Sequence, residues 1–139
     1  LVLSGYDHYF WQRLKKENQR KEIIYTGFIN DNELVALYKG ADVFVLPSFE
    51  EGFGIPILEA FACECPVVAS YAGSLPEVAG SACLYFDPVK RGDMAEKISK
   101  VLDDDKLRQR LKERGLKRCK QFNWRDLAKK TLEVYEQCV

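Results

Sequence analysis

Short apolar runs alternate with longer amphipathic ones along the 139 residues. Residues 1–4 read as a strand stopped at Gly5, and 9–21 carry helical spacing that turns Phe10, Trp11 and Leu14 inward. Residues 22–26 predict a second strand. Asn30 or Asp31 then caps a helix running to Lys39: Glu33 stands three residues past Asn30, as in a capping box, and Leu34, Leu37 and Tyr38 form its inner stripe. Residues 42–46 are nearly continuous in apolar side chains, the mark of a strand covered on both faces. Pro47 ends that strand, and 48–54 form a loop rich in glycine and acid. A helix follows over 55–62 with Pro56 in its first turn, then a buried strand over 66–69. Ser74, Pro76 and Glu77 open a short helix with a serine cap, 82–86 form another strand, and helices lie near 93–102, 106–121 and from Trp124 onward. Strands alternating with helices, closed by a helical tail, predict an α/β fold with a Rossmann-like, doubly wound parallel sheet.

Composition narrows the class. Residues 1–139 fit one domain, and 47% hydrophobic with 30% charged residues describes a globular chain able to bury a core. Lys and Arg total 21 and so do Asp and Glu, which argues against a nucleic-acid binder, because that class shows a basic excess. No apolar run approaches membrane-spanning length and no signal peptide is visible, so a cytoplasmic protein is expected. The five cysteines fit free thiols in a reducing compartment. With one histidine, Cys63 and Cys65 read as small hydrophobes near a helix end, and no metal site is expected. Lys and Arg crowd residues 106–130, which reads as a solvated face. Leu107, Leu111, Leu127, Leu132 and Tyr135 supply an inner stripe, and Phe10, Trp11, Phe44, Phe61 and Trp124 read as core.

The candidate chemistry sits in the loop after the third strand. Ligands of open α/β sheets bind at the carboxyl ends of strands, where a loop feeds a helix N-terminus. Gly52 and Gly54 let backbone approach a ligand, and the next helix aims N–H groups and its positive dipole end at the same place, suited to phosphate or sugar hydroxyls. Glu51 and Glu59 frame the loop. Each carboxylate can accept from neighbouring hydroxyls of a sugar or ribose, or can merely favour the helix start electrostatically; spacing alone leaves both readings open.

The segment Glu51-Gly-Phe-Gly-Ile-Pro-Ile-Leu-Glu59 resembles the signature of glycosyltransferase family 4, two glutamates with seven residues between them around a Gly-Phe-Gly turn. The runs 25–29, 31–34, 41–48, 66–70 and 74–78, and the step Phe122-Asn-Trp124, resemble further family segments in the family's order. The resemblance implies a retaining, metal-independent GT-B glycosyltransferase, of which this chain is the C-terminal, donor-binding half. Glu51 is then the catalytic carboxylate at the transferred sugar. The backbone of Gly52, Phe53, Gly54 and Ile55 contacts sugar and phosphate, and Glu59 holds the ribose. The backbone of Ile29 and the side chain of Asp31 match base-contacting positions, although Asp31 also reads as a helix cap.

The resemblance further implies one more strand, a basic phosphate loop and an N-terminal acceptor domain upstream of Leu1. The expected partners are a nucleotide sugar and a glycan or lipid-linked acceptor, with no cofactor, and peripheral association with the inner membrane face stays open. The isolated chain is expected to be inactive. The alternative is a stand-alone nucleotide-sugar-binding module or non-catalytic subunit. Glu64 departs from the family pattern, which has Gly just past a helix; a left-handed residue there costs about 1 kcal/mol unless the turn takes another form.

Overall fold

A computed structural model describes residues 1–138, apart from the side chain of Phe10. The chain divides into two compact units, Leu1–Leu37 and Tyr38–Val139. The first holds a two-stranded parallel ladder, β1 (Val2–Ser4) on β2 (Ile24–Gly27), with α1 (Tyr9–Glu17) between them in sequence and most of α2 (Asp31–Gly40) after them. Trp11 meets Tyr25 edge-on at 5.9 Å, whereas Leu14 is exposed; the inward turn expected of Phe10 lies outside the described residues. Asn30, not Asp31, caps α2. Its Oδ1 accepts from the Glu33 N–H at 3.1 Å, while Glu33 Oε2 accepts from the Asn30 N–H at 2.8 Å.

The second unit carries a three-stranded parallel ladder in the order β3 (Phe44–Leu46), β4 (Val67–Ser70), β5 (Leu84–Phe86). Between them run α3 (Ile55–Ala62), α4 (Leu75–Ala79) and a 3-10 turn at Gly80–Ala82, which shortens the strand expected from Ala82. Helices α5 (Arg91–Asp103), α6 (Asp105–Cys119) and α7 (Trp124–Glu136) complete it. The fully covered strand is β4, not β3. Its position in the middle of the ladder buries all four residues, whereas β3 is an edge strand and only half-buried. Val68 joins Phe86, Val101 and Leu111 in one apolar cluster, flanked by Val45, Ile98 and Leu107.

The α7 expectation fails differently. Trp124, Leu127, Leu132 and Tyr135 are all exposed, and none of the residues of this helix is buried, so its apolar stripe is not part of the described core. Among the described residues no helix is long and apolar enough to cross a membrane. The thiols of Cys65 and Cys83 are buried, and burial pushes them up to about 11 and about 12.

The join from α3 to β4 is a Schellman turn. The Glu64 N–H donates to Phe61 O at 3.1 Å and the Cys65 N–H to Ala60 O at 2.9 Å, with Glu64 left-handed at φ 57°. Against the inner side of α3, Gly115 of α6 gives way to Phe61: a Cβ there would stand 2.5 Å from the ring. Two substitutions test this packing in opposite directions. Glu64→Gly is expected to raise unfolding stability by about 0.5–1 kcal/mol, since relief of the left-handed strain outweighs the added freedom of the unfolded chain. Gly115→Ala, although favourable for an isolated helix, is expected to lower it by about 1–3 kcal/mol through overpacking. Denaturant titration reads both.

Candidate functional site

Residues 48–54 leave the carboxyl end of β3 and fold back onto the ends of β4 and α4 through their carbonyl oxygens. The Ser70 hydroxyl at the end of β4 donates to Ser48 O, and the Ser74 hydroxyl donates to Glu51 O at 3.1 Å. Ser74 was expected to cap its own helix. Its hydroxyl is instead committed to the loop, and α4 starts without a side-chain cap. Gly73, left-handed at φ 53°, lets the loop lie against it: a Cβ there would be 3.1 Å from both the N and the O of Glu51. Gly54 is left-handed at φ 93°, and a Cβ on it would run into Leu75 at 2.5 Å, so only glycine fits at the entry to α3.

Three of the loop oxygens are engaged, while a run of its amides is open. Ser48 O and Glu51 O accept from serines, and Gly54 O accepts from the Ile57 N–H at 3.0 Å. The N–H groups of Gly52, Phe53, Gly54 and Ile55 donate to no acceptor among the described residues, although Gly54 is buried. Gly52, Phe53 and Ile55 are exposed, so solvent or a ligand can reach them, and an open N–H at the buried Gly54 is the uncommon one. Four successive open donors at a helix N-terminus form an electropositive cradle. Glu51 is half-buried beside it, its Oε1 fixed by the Ser48 hydroxyl at 2.7 Å.

Glu59 lies one turn along α3, half-buried, and its Oε2 accepts from the hydroxyl of Tyr38 at 3.2 Å. Burial, and then the nearby Glu59 charge, pushes the Tyr38 phenol well above its ordinary range, so it stays a proton donor. Phe53 meets Phe122 edge-on at 5.8 Å, and the Arg118 guanidinium lies 5.0 Å from the centre of the Phe122 ring. Arg118 also donates to the carbonyls of Val78 at 2.9 Å and Glu77 at 2.6 Å, which close α4. The second unit therefore carries Glu51, Gly52, Phe53, Gly54, Ile55 and Glu59 on one loop and the start of the helix that follows it. Ile29 and Asp31 belong to the first unit, where Ile29 is half-buried and Asp31 exposed at the start of α2. Among the described residues no group of His, Cys, Asp or Glu converges as a metal site.

Sequence reading missed Ser48, Ser70 and Ser74 as loop anchors, and Tyr38 as the partner of Glu59. The serines carried a readable signal, since two of them sit where strands end beside the glycine loop.

A glycine loop that leaves an edge strand of a parallel α/β unit and opens a helix is an arrangement suited to anionic or hydroxyl-rich ligands. The comparisons are narrower. The family model described as "Glycosyl transferases group 1" matches residues 1–118. The O-antigen chain mannosyltransferase B of Escherichia coli is 42% identical over 140 aligned positions, covering 98% of this chain and 37% of that protein. The sucrose-phosphate synthase of Thermosynechococcus elongatus superposes with TM-score 0.88 at 28% identity, over 99% of this chain and 38% of its own. The Anabaena HepE protein in complex with UDP-glucose shares the fold at TM-score 0.84 and 21% identity, over 98% of this chain and 40% of its own. The chain belongs to the group 1 glycosyl transferases, as the C-terminal half of a GT-B fold. It spans well under half the length of each of these relatives.

Gly73→Ala tests the loop's seat. Left-handed strain and the clash with Glu51 backbone are expected to lower stability by about 1–3 kcal/mol. Hydrogen exchange should show reduced protection at the Ile57 and Leu75 amides, which donate to Gly54 O and Ala72 O beside the loop, while β5 and α5 stay as they are.

Proposed function

We propose that this chain is the donor-binding half of a retaining glycosyltransferase that takes a hexose from a nucleoside-diphosphate sugar. The run of open amides at 52–55 beside a fixed carboxylate carries this reading. In the reaction the anomeric carbon exchanges its bond to the diphosphate oxygen for one to an acceptor hydroxyl. The diphosphate leaves with the bonding electrons and takes up the proton lost by the acceptor. The amides of Gly52, Phe53, Gly54 and Ile55 and the positive end of α3 face the charge that grows on the departing diphosphate, at a site already organised before the sugar arrives. Their role removes the need for a metal ion. Glu51 accepts from hydroxyls of the transferred sugar and steadies the positive charge that develops at its anomeric carbon; Glu59 accepts from the ribose hydroxyls. Ile29 and Asp31 are the base-contacting candidates.

Mannose is the transferred sugar favoured by the relative of highest identity described above, named as a mannosyltransferase. The acceptor is a glycan or lipid-linked glycan met at the cytoplasmic side of the membrane, held by chain beyond these residues. Residues 1–139 alone are expected to bind donor without transferring it, which is the behaviour of a binding module.

Transfer from radiolabelled GDP-mannose and UDP-glucose, assayed with the complete polypeptide, tests the reading. Glu51→Ala is expected to abolish transfer while sparing affinity for the bare nucleoside diphosphate. Glu59→Ala is expected to weaken that affinity by about 1.5–3 kcal/mol, the range of a hydrogen bond to a charged group. Equal losses for nucleotide and nucleotide sugar in the Glu51 variant would contradict its assignment, and unchanged nucleotide affinity in the Glu59 variant would remove Glu59 from the site.

A further inference from the structure

We propose that Tyr38 is a positioning residue for nucleotide recognition: its buried hydroxyl orients the Glu59 carboxylate for the ribose. The inference rests on the assignment of Glu59 to the ribose given above. Tyr38 lies in the last turn of α2 and is only 7% exposed, with its ring held edge-on to Phe44 at 5.2 Å. A ring so placed leaves the hydroxyl little choice of direction. Its hydrogen-bond partner among the described residues is Glu59 Oε2.

The consequence falls on Glu59. A glutamate on a half-exposed helix face samples several rotamers, and binding a diol would first have to select one of them. The Tyr38 hydroxyl makes that selection in advance. It also divides the carboxylate's labour: Oε2 receives the phenol, while Oε1 accepts no hydrogen bond from the described residues and stays open to an incoming hydroxyl. An ionised carboxylate is acceptor-only, so the Tyr38 proton cannot be matched by a competing donor from Glu59. A purely structural tyrosine would need only some acceptor for its buried hydroxyl; a backbone carbonyl would serve. This one is spent on the carboxylate that faces the ligand.

Tyr38→Phe keeps the ring and its contact with Phe44 and removes only the donor. The test measures dissociation constants by calorimetry on the complete polypeptide. Wild type, Tyr38→Phe, Glu59→Gln and the double variant are compared, using whichever of GDP and UDP binds wild type more tightly and its 2′-deoxy and 3′-deoxy analogues. Tyr38→Phe is expected to weaken the ribonucleotide about five- to tenfold, the size of one ordinary net hydrogen bond, because the variant loses the pre-ordering of the carboxylate and not the carboxylate itself. It should also lose most of the preference for ribose over the deoxy analogues, and the double variant should bind no more weakly than Glu59→Gln alone. Wild-type affinity in Tyr38→Phe, equal losses on ribose and deoxyribose ligands, or losses that multiply in the double variant would each overturn the role of Tyr38 while leaving Glu59 in place. Unchanged affinity in Glu59→Gln would instead remove the ribose assignment and this proposal with it.

Discussion

Much of the second unit turns on one close approach, that of Gly73 to the backbone of Glu51. The space left by a missing side chain lets the loop after β3 lie flat against the segment between β4 and α4. Ser70 and Ser74, on either side of Gly73, then reach the loop's carbonyls. Because β4 is the covered centre of its ladder, the Ser70 anchor stands on a close-packed element of the unit. The glycine loop is therefore shaped by an outside support more than by its own turns.

That support has a polarity. Side-chain hydroxyls and a helix amide engage three of the loop oxygens, and the N–H groups of residues 52–55 have no acceptor among the described residues. A loop satisfied on both counts would be more stable and chemically inert. Leaving donors open at a buried glycine is a standing energetic debt of the kind that binding sites retain, since a ligand with negative oxygens relieves it. The carboxylates follow the same logic, each tied at one oxygen by a neighbouring hydroxyl, Ser48 for Glu51 and Tyr38 for Glu59.

Element order and type were legible along the chain, and so was the loop that carries the cradle, because hydrophobic period and glycine placement are local signals. The start of α3 at Ile55 follows from the Gly54–Pro56 pattern, and the Asn30 capping box is formed as its spacing suggests. What the sequence could not disclose is non-local. Burial of β4 over β3 depends on strand order, which periodicity does not encode. Ser74 matches a helix cap in sequence, yet a carbonyl 23 residues away in the chain wins its hydroxyl. Tyr38 looks like one more member of an inner stripe, and only the fold brings Glu59 to it, 21 residues on. The apolar stripe of α7 is real as a pattern but has no buried counterpart among the described residues.

The turn between α3 and β4 bears on how such a chain can change over time. Helix and strand are joined by Cys63, Glu64, Cys65 and Pro66, with the last two buried and the reversal locked by two backbone hydrogen bonds. Nothing can be inserted there without pulling β4 out of register with β3 and β5, and with it the serine that anchors the loop. Added length is better tolerated at the solvent-facing joins, such as the exposed residues Val89 and Lys90 before α5, whose backbone lies outside the ladder. New specificity in a fold built this way arises by exchanging side chains around a fixed frame, and not by lengthening the frame beneath the ligand.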